Sequence, residues 1–367
     1  MVDDTKKNKK SALRVQAGIE KPSSVNPVLK SGLGKFKKPK LNIELLVKNI
    51  FKGDRSSLSR GITIVESSLP TDKILAKQII HECLPYSGNS IRIGITGVPG
   101  VGKSTFIETF GNFLIEKGKK VAVLAIDPSS KRTKGSILGD KTRMESLSNN
   151  PNAFIRPSAS AGTLGGIARK TRETITLCEA SGFDIILVET VGVGQSETAV
   201  AQIVDFFLLL MLAGSGDELQ GIKRGIMEMA DMILINKADG DNMTKADLAR
   251  REFENALLLF PALENNWVPI VKTASALYSK GIEDVWDTIS KYLKLTTENG
   301  HFQLKRSKQS GEILQESIES ALMDNFYNDP DLKEKIKSIK KEIDKGNLSP
   351  YDAADELLDV YLKRKNN

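Results

Sequence analysis

The sequence predicts an α/β fold: a mostly parallel central sheet flanked by helices, with helical extensions at both ends. Three observations predict it. Short continuous apolar runs begin at Ile91, helix-length segments separate most of them, and the chain outside this region carries helical periodicity instead. Continuous rather than alternating runs suit strands buried on both faces of a parallel sheet. Strand then helix, repeated, implies right-handed crossovers between parallel strands.

Residues 1–40 read as a basic tail. They hold eleven Lys and Arg against Asp3, Asp4 and Glu20, so they account for the whole net charge of +7. Their polar composition reads as a solvated extension rather than a nucleic-acid or membrane contact. A mitochondrial presequence fits poorly, because Asp3 and Asp4 open the chain and such segments avoid acids. Residues 41–90 read as about three helices. Ile43, Leu46, Val47 and Ile50 share one helix face, and Gly53 and the Leu69–Pro70 step are breaks.

The runs expected as strands are Ile91–Thr96, Val121–Ile126, Ile185–Val188, Phe206–Leu212, Met232–Ile235 and Val268–Val271. Residues 91–298 therefore form the central domain, and 299–367 a helical arm. The arm is broken at Asp329–Pro330 and restarted at Ser349–Pro350, with Ser349 as N-cap and proline in the first turn. Ile336, Ile339 and Ile343 form one apolar stripe there. Ala354, Leu357, Leu358, Tyr361 and Leu362 form another. Amphipathic faces need cover, from a second subunit or from the chain's own core. The longest apolar stretch, Val204–Ala213, is too short to span a bilayer and contains Asp205. Two cysteines, Cys83 and Cys178, supply no disulfide framework. A cytoplasmic protein with no membrane or nucleic-acid partner is expected.

The first apolar run leads into Gly97, Val98, Pro99, Gly100, Val101, Gly102, Lys103, Ser104 and Thr105. This is the Walker A spacing between a strand and a helix. The glycines let backbone N–H groups turn toward phosphate oxygens, and the following helix adds its dipole. Lys103 would reach the β- and γ-phosphates, and Ser104 would ligate Mg²⁺. The fold class sharpens to a P-loop nucleoside triphosphatase.

Met232–Ile235 ends in Asn236, Lys237, Ala238 and Asp239. A carboxylate at Asp239 can accept from guanine N1–H and the exocyclic amine, whereas adenine presents an acceptor at N1. Such polar matching discriminates by about 10⁴–10⁵. Lys237 would pack along the base, and Asn236 would tie this loop to the phosphate loop. Ser275 and Ala276, after the last run, occupy the place of the loop whose backbone contacts guanine O6. GTP and GDP are the expected ligands. Two further runs end in acids, Asp127 and Glu189, at strand ends where open α/β sheets form their ligand crevice. Carboxylates there can hold Mg²⁺ directly or through water. Glu189 opens Glu-x-x-Gly with Gly192, not the Asp-x-x-Gly of Ras-type switches.

Taken with Gly135–Met144, Glu189–Glu197 and Gly216–Lys223, these motifs resemble the methylmalonyl-CoA mutase-associated G-protein chaperones of the MeaB/ArgK type. Members of that family were once labelled transport-system kinases or ATPases. The resemblance runs from about Leu41 to the C-terminus. It implies a homodimeric GTPase that gates adenosylcobalamin delivery to methylmalonyl-CoA mutase, or a related acyl-CoA mutase, and protects it. It also implies residue roles. Asp140 and Glu189 join Ser104 and Asp127 around Mg²⁺. Arg143 reaches the phosphates from the same chain, as an arginine finger does. Lys103, Arg143 and Asp127 are then the catalytic candidates. Gly192, Gln195, Asp217, Glu218 and Lys223 are candidates for relaying nucleotide state to the mutase. The glycines at 214, 216 and 221 give that last segment backbone freedom.

Three other readings are open at this stage. A metabolic or transport-linked kinase or ATPase would usually favour ATP, against Asn236–Asp239. A metal-delivery GTPase needs a Cys/His cluster, whereas His81 and Cys83 stand alone, two residues apart on an expected helix. A binding module could hold GTP without turnover.

Overall fold

The computed structural model of the chain describes residues 41–127, 144–159, 164–190, 196–214, 224–261 and 263–365. Three helices come first: α1 (Ile43–Phe51), α2 (Arg55–Glu66) and α3 (Pro70–Cys83). Gly53 ends the first turn of chain at φ 78°. The Asp54 carboxylate then caps α2 by accepting from Ser57 N–H at 2.7 Å. Leu46, Val47, Ile50, Leu58, Ile62 and Ile79 are buried, so the periodic face read from the sequence is the packed one.

The sheet follows. Its strands are β1 (Ile91–Gly97), β2 (Val121–Asp127), β3 (Ala153–Ala159), β4 (Ile185–Thr190), β5 (Phe206–Leu212), β6 (Met232–Asn236) and β7 (Ile270–Thr273). They lie in the order β3-β2-β4-β1-β5-β6-β7, and all six pairings are parallel. The expected mostly parallel sheet is wholly parallel across these pairings. β4 and β6 are buried along their whole length, as strands covered on both faces must be.

Two strand expectations are corrected. β3 is a seventh strand without a continuous apolar run, because Arg156, Pro157 and Ser158 fill its second half. It is an edge strand, where proline is tolerated inside a sheet. The last strand is Ile270–Thr273 rather than Val268–Val271. Val268 is 74% exposed, and Pro269 ahead of the strand supplies no N–H.

The crossovers and flanks are α4 (Lys103–Glu116), α5 (Glu145–Asn149), α6 (Leu164–Ala180), α7 (Ser196–Ala201), α8 (Arg224–Met229), α9 (Met243–Leu257) and α10 (Ile282–Glu298). Phe106 and Phe110 of α4 stack at 5.4 Å within the main core. Tyr292 of α10 meets Phe206 and Trp267 edge-on at 5.0 and 5.3 Å. Three helices close the chain: α11 (His301–Asn328), α12 (Pro330–Asp344) and α13 (Pro350–Lys365). Helix resumes at His301, at the expected start of the arm. The break at Asp329 is a cap, with its carboxylate accepting from Asp331 and Leu332 N–H.

The basic tail, residues 1–40, lies outside the described residues. Among the described residues, no helix is long and apolar enough to cross a membrane.

Candidate functional site

Because the strands are parallel, their C-terminal ends lie along one edge of the sheet. β1 ends at Gly97, β2 at Asp127, β4 at Thr190 and β6 at Asn236. The loops read as nucleotide-binding leave from these ends. The chain leaves β1 for β2 on one side and returns later to β5 on the other, so β1 stands at the topological switch point, where such sheets hold ligands.

The Walker A loop runs from β1 into α4. Gly97 has φ 154°, and a Cβ there would collide with the Leu210 carbonyl of β5. Gly102, at φ 92°, adjoins Asn236, whose Nδ2 would lie 3.0 Å from an added Cβ. Lys103 Nζ donates to the Gly97 carbonyl at 2.8 Å and the Val98 carbonyl at 3.4 Å. An ammonium has three donors, so a third faces elsewhere. Burial lowers the Lys103 pKa, against the opposing pull of the Glu189 and Glu197 carboxylates. Ser104 and Thr105 follow in the first turn of α4.

The base loops are bound to one another and to the phosphate loop. Asn236 Nδ2 donates to the Val101 carbonyl at 2.8 Å, and its Oδ1 accepts from Ala276 N–H at 3.2 Å. Ser275 Oγ donates to the Asp239 carboxylate. Ser275 and Lys280 exchange two backbone bonds of 3.0 Å, which closes the loop between them. Thr109 of α4 donates to the Ala276 carbonyl at 2.9 Å. Lys237 is held at φ 59°, a left-handed conformation uncommon for a residue with a side chain and often found at functional sites. Sequence reading named Asn236, Lys237, Asp239, Ser275 and Ala276. It missed Thr109, which carries no local signal among the other polar residues of α4.

Glu189 is 4% exposed and lies in register between Ile95 of β1 and Ala125 of β2. Asp127 closes β2 two residues beyond Ala125; its side chain lies outside the described residues. Ser104 and Glu189 are oxygen donors, which fits Mg²⁺, an ion that takes one or two protein carboxylates and completes its shell with water and phosphate. Among the described residues no group of three or more His, Cys, Asp or Glu could hold a metal. His81 is exposed and Cys83 buried on α3, so they do not form a shared ligand pair.

Asp140, Arg143, Gly192, Gln195, Asp217, Glu218 and Lys223 lie outside the described residues. From Met144 onward the chain is fastened to α4. Ser146 N–H and Oγ donate to Glu108 Oε1 at 2.8 and 2.7 Å, and Asn112 Nδ2 donates to Ser146 Oγ at 2.8 Å. Gly111 leaves room for the buried Leu147 beside it.

Comparison with known proteins agrees with this geometry. Residues 58–331 match the family model described as "Methylmalonyl Co-A mutase-associated GTPase MeaB". The chain is 49% identical over 308 residues to a probable GTPase of Mycobacterium tuberculosis, covering 84% of this chain and 92% of that one. It is 46% identical over 304 residues to the GTPase ArgK of Escherichia coli, covering 83% and 92%. It is 43% identical over 332 residues to the mitochondrial methylmalonic aciduria type A homolog of Mus musculus, covering 88% and 80%. A crystal structure titled LAO/AO transport system kinase superposes with a TM-score of 0.68 at 38% identity, over 88% of this chain and 99% of the other. The chain is a P-loop GTPase and belongs to the MeaB family of methylmalonyl-CoA mutase-associated GTPases.

Proposed function

We propose that this GTPase is a nucleotide-dependent chaperone of methylmalonyl-CoA mutase, or of a related acyl-CoA mutase, gating delivery of adenosylcobalamin and protecting the mutase. The observation that carries this reading is the match of residues 58–331 to a family described as mutase-associated. A cytoplasmic location and a homodimer built on the C-terminal helices belong to the same proposal. So does the division into a helical segment at 41–90, a GTPase domain at 91–298 and an arm at 299–367.

The chemistry proposed for the site follows from its groups. Backbone N–H groups of 97–105 and the N-terminus of α4 receive the phosphates. Lys103 offers its free donor to the β/γ oxygens, and its charge stabilises the transition state. Asp239, held by Ser275, accepts from guanine N1–H and the exocyclic amine. Asn236 keeps base and phosphate loops at a fixed separation. Ser104, Asp127, Asp140 and Glu189 would hold Mg²⁺, which neutralises charge on the β/γ-phosphates when bound. Arg143 would add a cation, and Gly192, Gln195, Asp217, Glu218 and Lys223 would carry nucleotide state to the mutase.

The test measures GTP turnover with and without purified methylmalonyl-CoA mutase. The expected result is acceleration by the mutase that Lys223→Ala loses while still binding GTP. Equal turnover with and without the mutase refutes the chaperone reading.

A further inference from the structure

Just beyond the last rung between β1 and β4, two hydroxyls meet. Thr190 Oγ1 donates to Thr96 Oγ1 at 2.8 Å. Thr96 is 2% exposed and Thr190 is fully buried. The two strands pair in register up to Ile95 and Glu189, so this contact lies one residue further on, where β1 and β4 part from each other while each still pairs with its other neighbour. The neighbours in the sheet are Leu209 of β5 and Ile126 of β2. Valine would fill either position with almost the same shape. Replacing both partners of a buried hydrogen bond by apolar groups of the same shape is close to neutral for stability. Fold stability alone therefore gives little reason for two hydroxyls here.

Their place in the site gives a better one. Thr96 precedes Gly97, whose carbonyl accepts from Lys103 Nζ at 2.8 Å. Thr190 follows Glu189, which pairs in register with Ile95 of β1. Five residues form one line of contact: Lys103 to Gly97, along the chain to Thr96, across to Thr190, and along the chain to Glu189. A hydrogen bond has a preferred length and direction, whereas a Val–Val contact tolerates sliding along the strands. Parallel strands are joined by slanted bonds and are slightly less stable per residue than antiparallel ones, so their ends benefit from a directional tie.

We propose that Thr96 and Thr190 are positioning residues for GTP hydrolysis. Their hydroxyl pair fixes the phosphate-loop lysine against the acidic end of β4. The inference rests on reading 97–105 as the phosphate site. It separates rate from affinity. Ground-state binding draws on many backbone donors, whereas transition-state stabilisation needs charges placed within about an ångström, and a displacement of that size can cost roughly 10²-fold.

The experiment uses the full chain and four variants: Thr96→Val, Thr190→Val, the double valine variant and Thr190→Ser. Single-turnover GTP hydrolysis, binding of a fluorescent GDP analogue and thermal unfolding are measured on each. The double valine variant is expected to unfold near the wild-type temperature and to bind the GDP analogue within about threefold. It should hydrolyse GTP at least about tenfold more slowly, consistent with a positioning loss. Thr190→Ser keeps the hydroxyl and should recover most of the rate. Wild-type hydrolysis in the double valine variant overturns the inference. So does a rate loss matched by an equal loss of GDP binding, or one that Thr190→Ser shares in full. Lys103→Ala is run in parallel. Full activity in that variant would refute the phosphate-site reading itself, and the inference with it.

Discussion

Arg306, near the start of α11, grips Asp205, just ahead of β5, through both carboxylate oxygens. Nε lies 2.9 Å from Oδ1 and Nη2 2.7 Å from Oδ2. The same guanidinium donates to the Ser90 carbonyl at 2.6 Å and to the Gly88 carbonyl. Asp205 also accepts from Arg92 N–H at 2.8 Å, and Arg92 pairs with the buried Glu179 at 2.9 Å. One charge pair thus joins the C-terminal arm, the lead into β1 and the start of β5, on the edge of the sheet opposite the nucleotide loops. Asp205 has a side chain only 1% exposed. Removing one member of a buried pair strands the other, at about 3–5 kcal/mol. Asp205→Ala should lower unfolding stability by that amount in urea titration, while the folded fraction still binds GDP. A loss under about 1 kcal/mol would show the pair to be as weak as a surface bridge.

Lys103→Ala should reduce GTP turnover by about 10²–10³-fold or more, the range seen when one preorganised charge-stabilising group is removed. The pH dependence carries a sign. Burial lowers the Lys103 pKa below its ordinary value of 10.5, so the ammonium is intact at low pH and lost earlier than a solvated lysine as pH rises. Nucleotide affinity should therefore weaken on the alkaline side before that value is reached. Lys103→Arg, which stays charged, should flatten that limb. A titration with identical alkaline limbs in both proteins would assign the group elsewhere.

Asp239→Asn should weaken GTP binding by about 10²–10⁴-fold and shift preference toward a xanthine nucleotide, whose extra carbonyl matches the new amide. Ser275→Ala should have a smaller effect, about tenfold, because it removes one hydrogen bond from the carboxylate rather than the carboxylate itself. Competition binding with guanosine, xanthosine and adenosine nucleotides reads both. Unchanged guanine selectivity in Asp239→Asn would place the base site elsewhere.

What the sequence made legible was what short stretches of chain determine. The phosphate loop needs glycine at 97 and 102 because Leu210 and Asn236 crowd those backbones, so its spacing is readable without a structure. β4 and β6 are buried throughout, and their composition says so. β3 was not legible because an edge strand can carry Arg156, Pro157 and Ser158. Contacts between distant residues left no local mark. Thr96 and Thr190 are 94 positions apart, and Asp205 and Arg306 are 101 apart. No periodicity or motif links such pairs; only the strand order and register bring them together.

Both cysteines should be inert in the native protein. Cys83 and Cys178 are free and buried. Burial pushes the Cys83 thiol up to about 11 and Cys178 higher still, so almost no thiolate is present at pH 8. A thiol reagent should titrate neither in the folded protein and both after denaturation. Rapid native labelling of Cys83 would mean that α3 opens locally, since that helix holds it against the core.

The last prediction concerns the C-terminal arm. Residues of both stripes read from the sequence line one cleft. Ile339 of α12 is 7% exposed, and Tyr361 of α13 meets the Phe326 ring of α11 at 5.3 Å, but Ala354 is exposed and the neighbouring Ala353 is the buried residue of α13. Cover is nevertheless incomplete. α11, α12 and α13 line an apolar cleft of about 610 Å³, and Leu322, Met323, Leu358 and Leu362 around it are each about half exposed. Clustered apolar exposure of this kind marks an interaction surface, and the proposed homodimer would bury it. Ending the chain near Leu295 is a poor test, because it also removes Arg306 and strands Asp205 in the core. Charges placed in the cleft leave that root intact. Leu322→Glu combined with Leu358→Glu should halve the mass seen by light scattering, with the unfolding temperature of the GTPase domain and GDP binding unchanged. A dimer mass that survives both charges would move the subunit contact to another face.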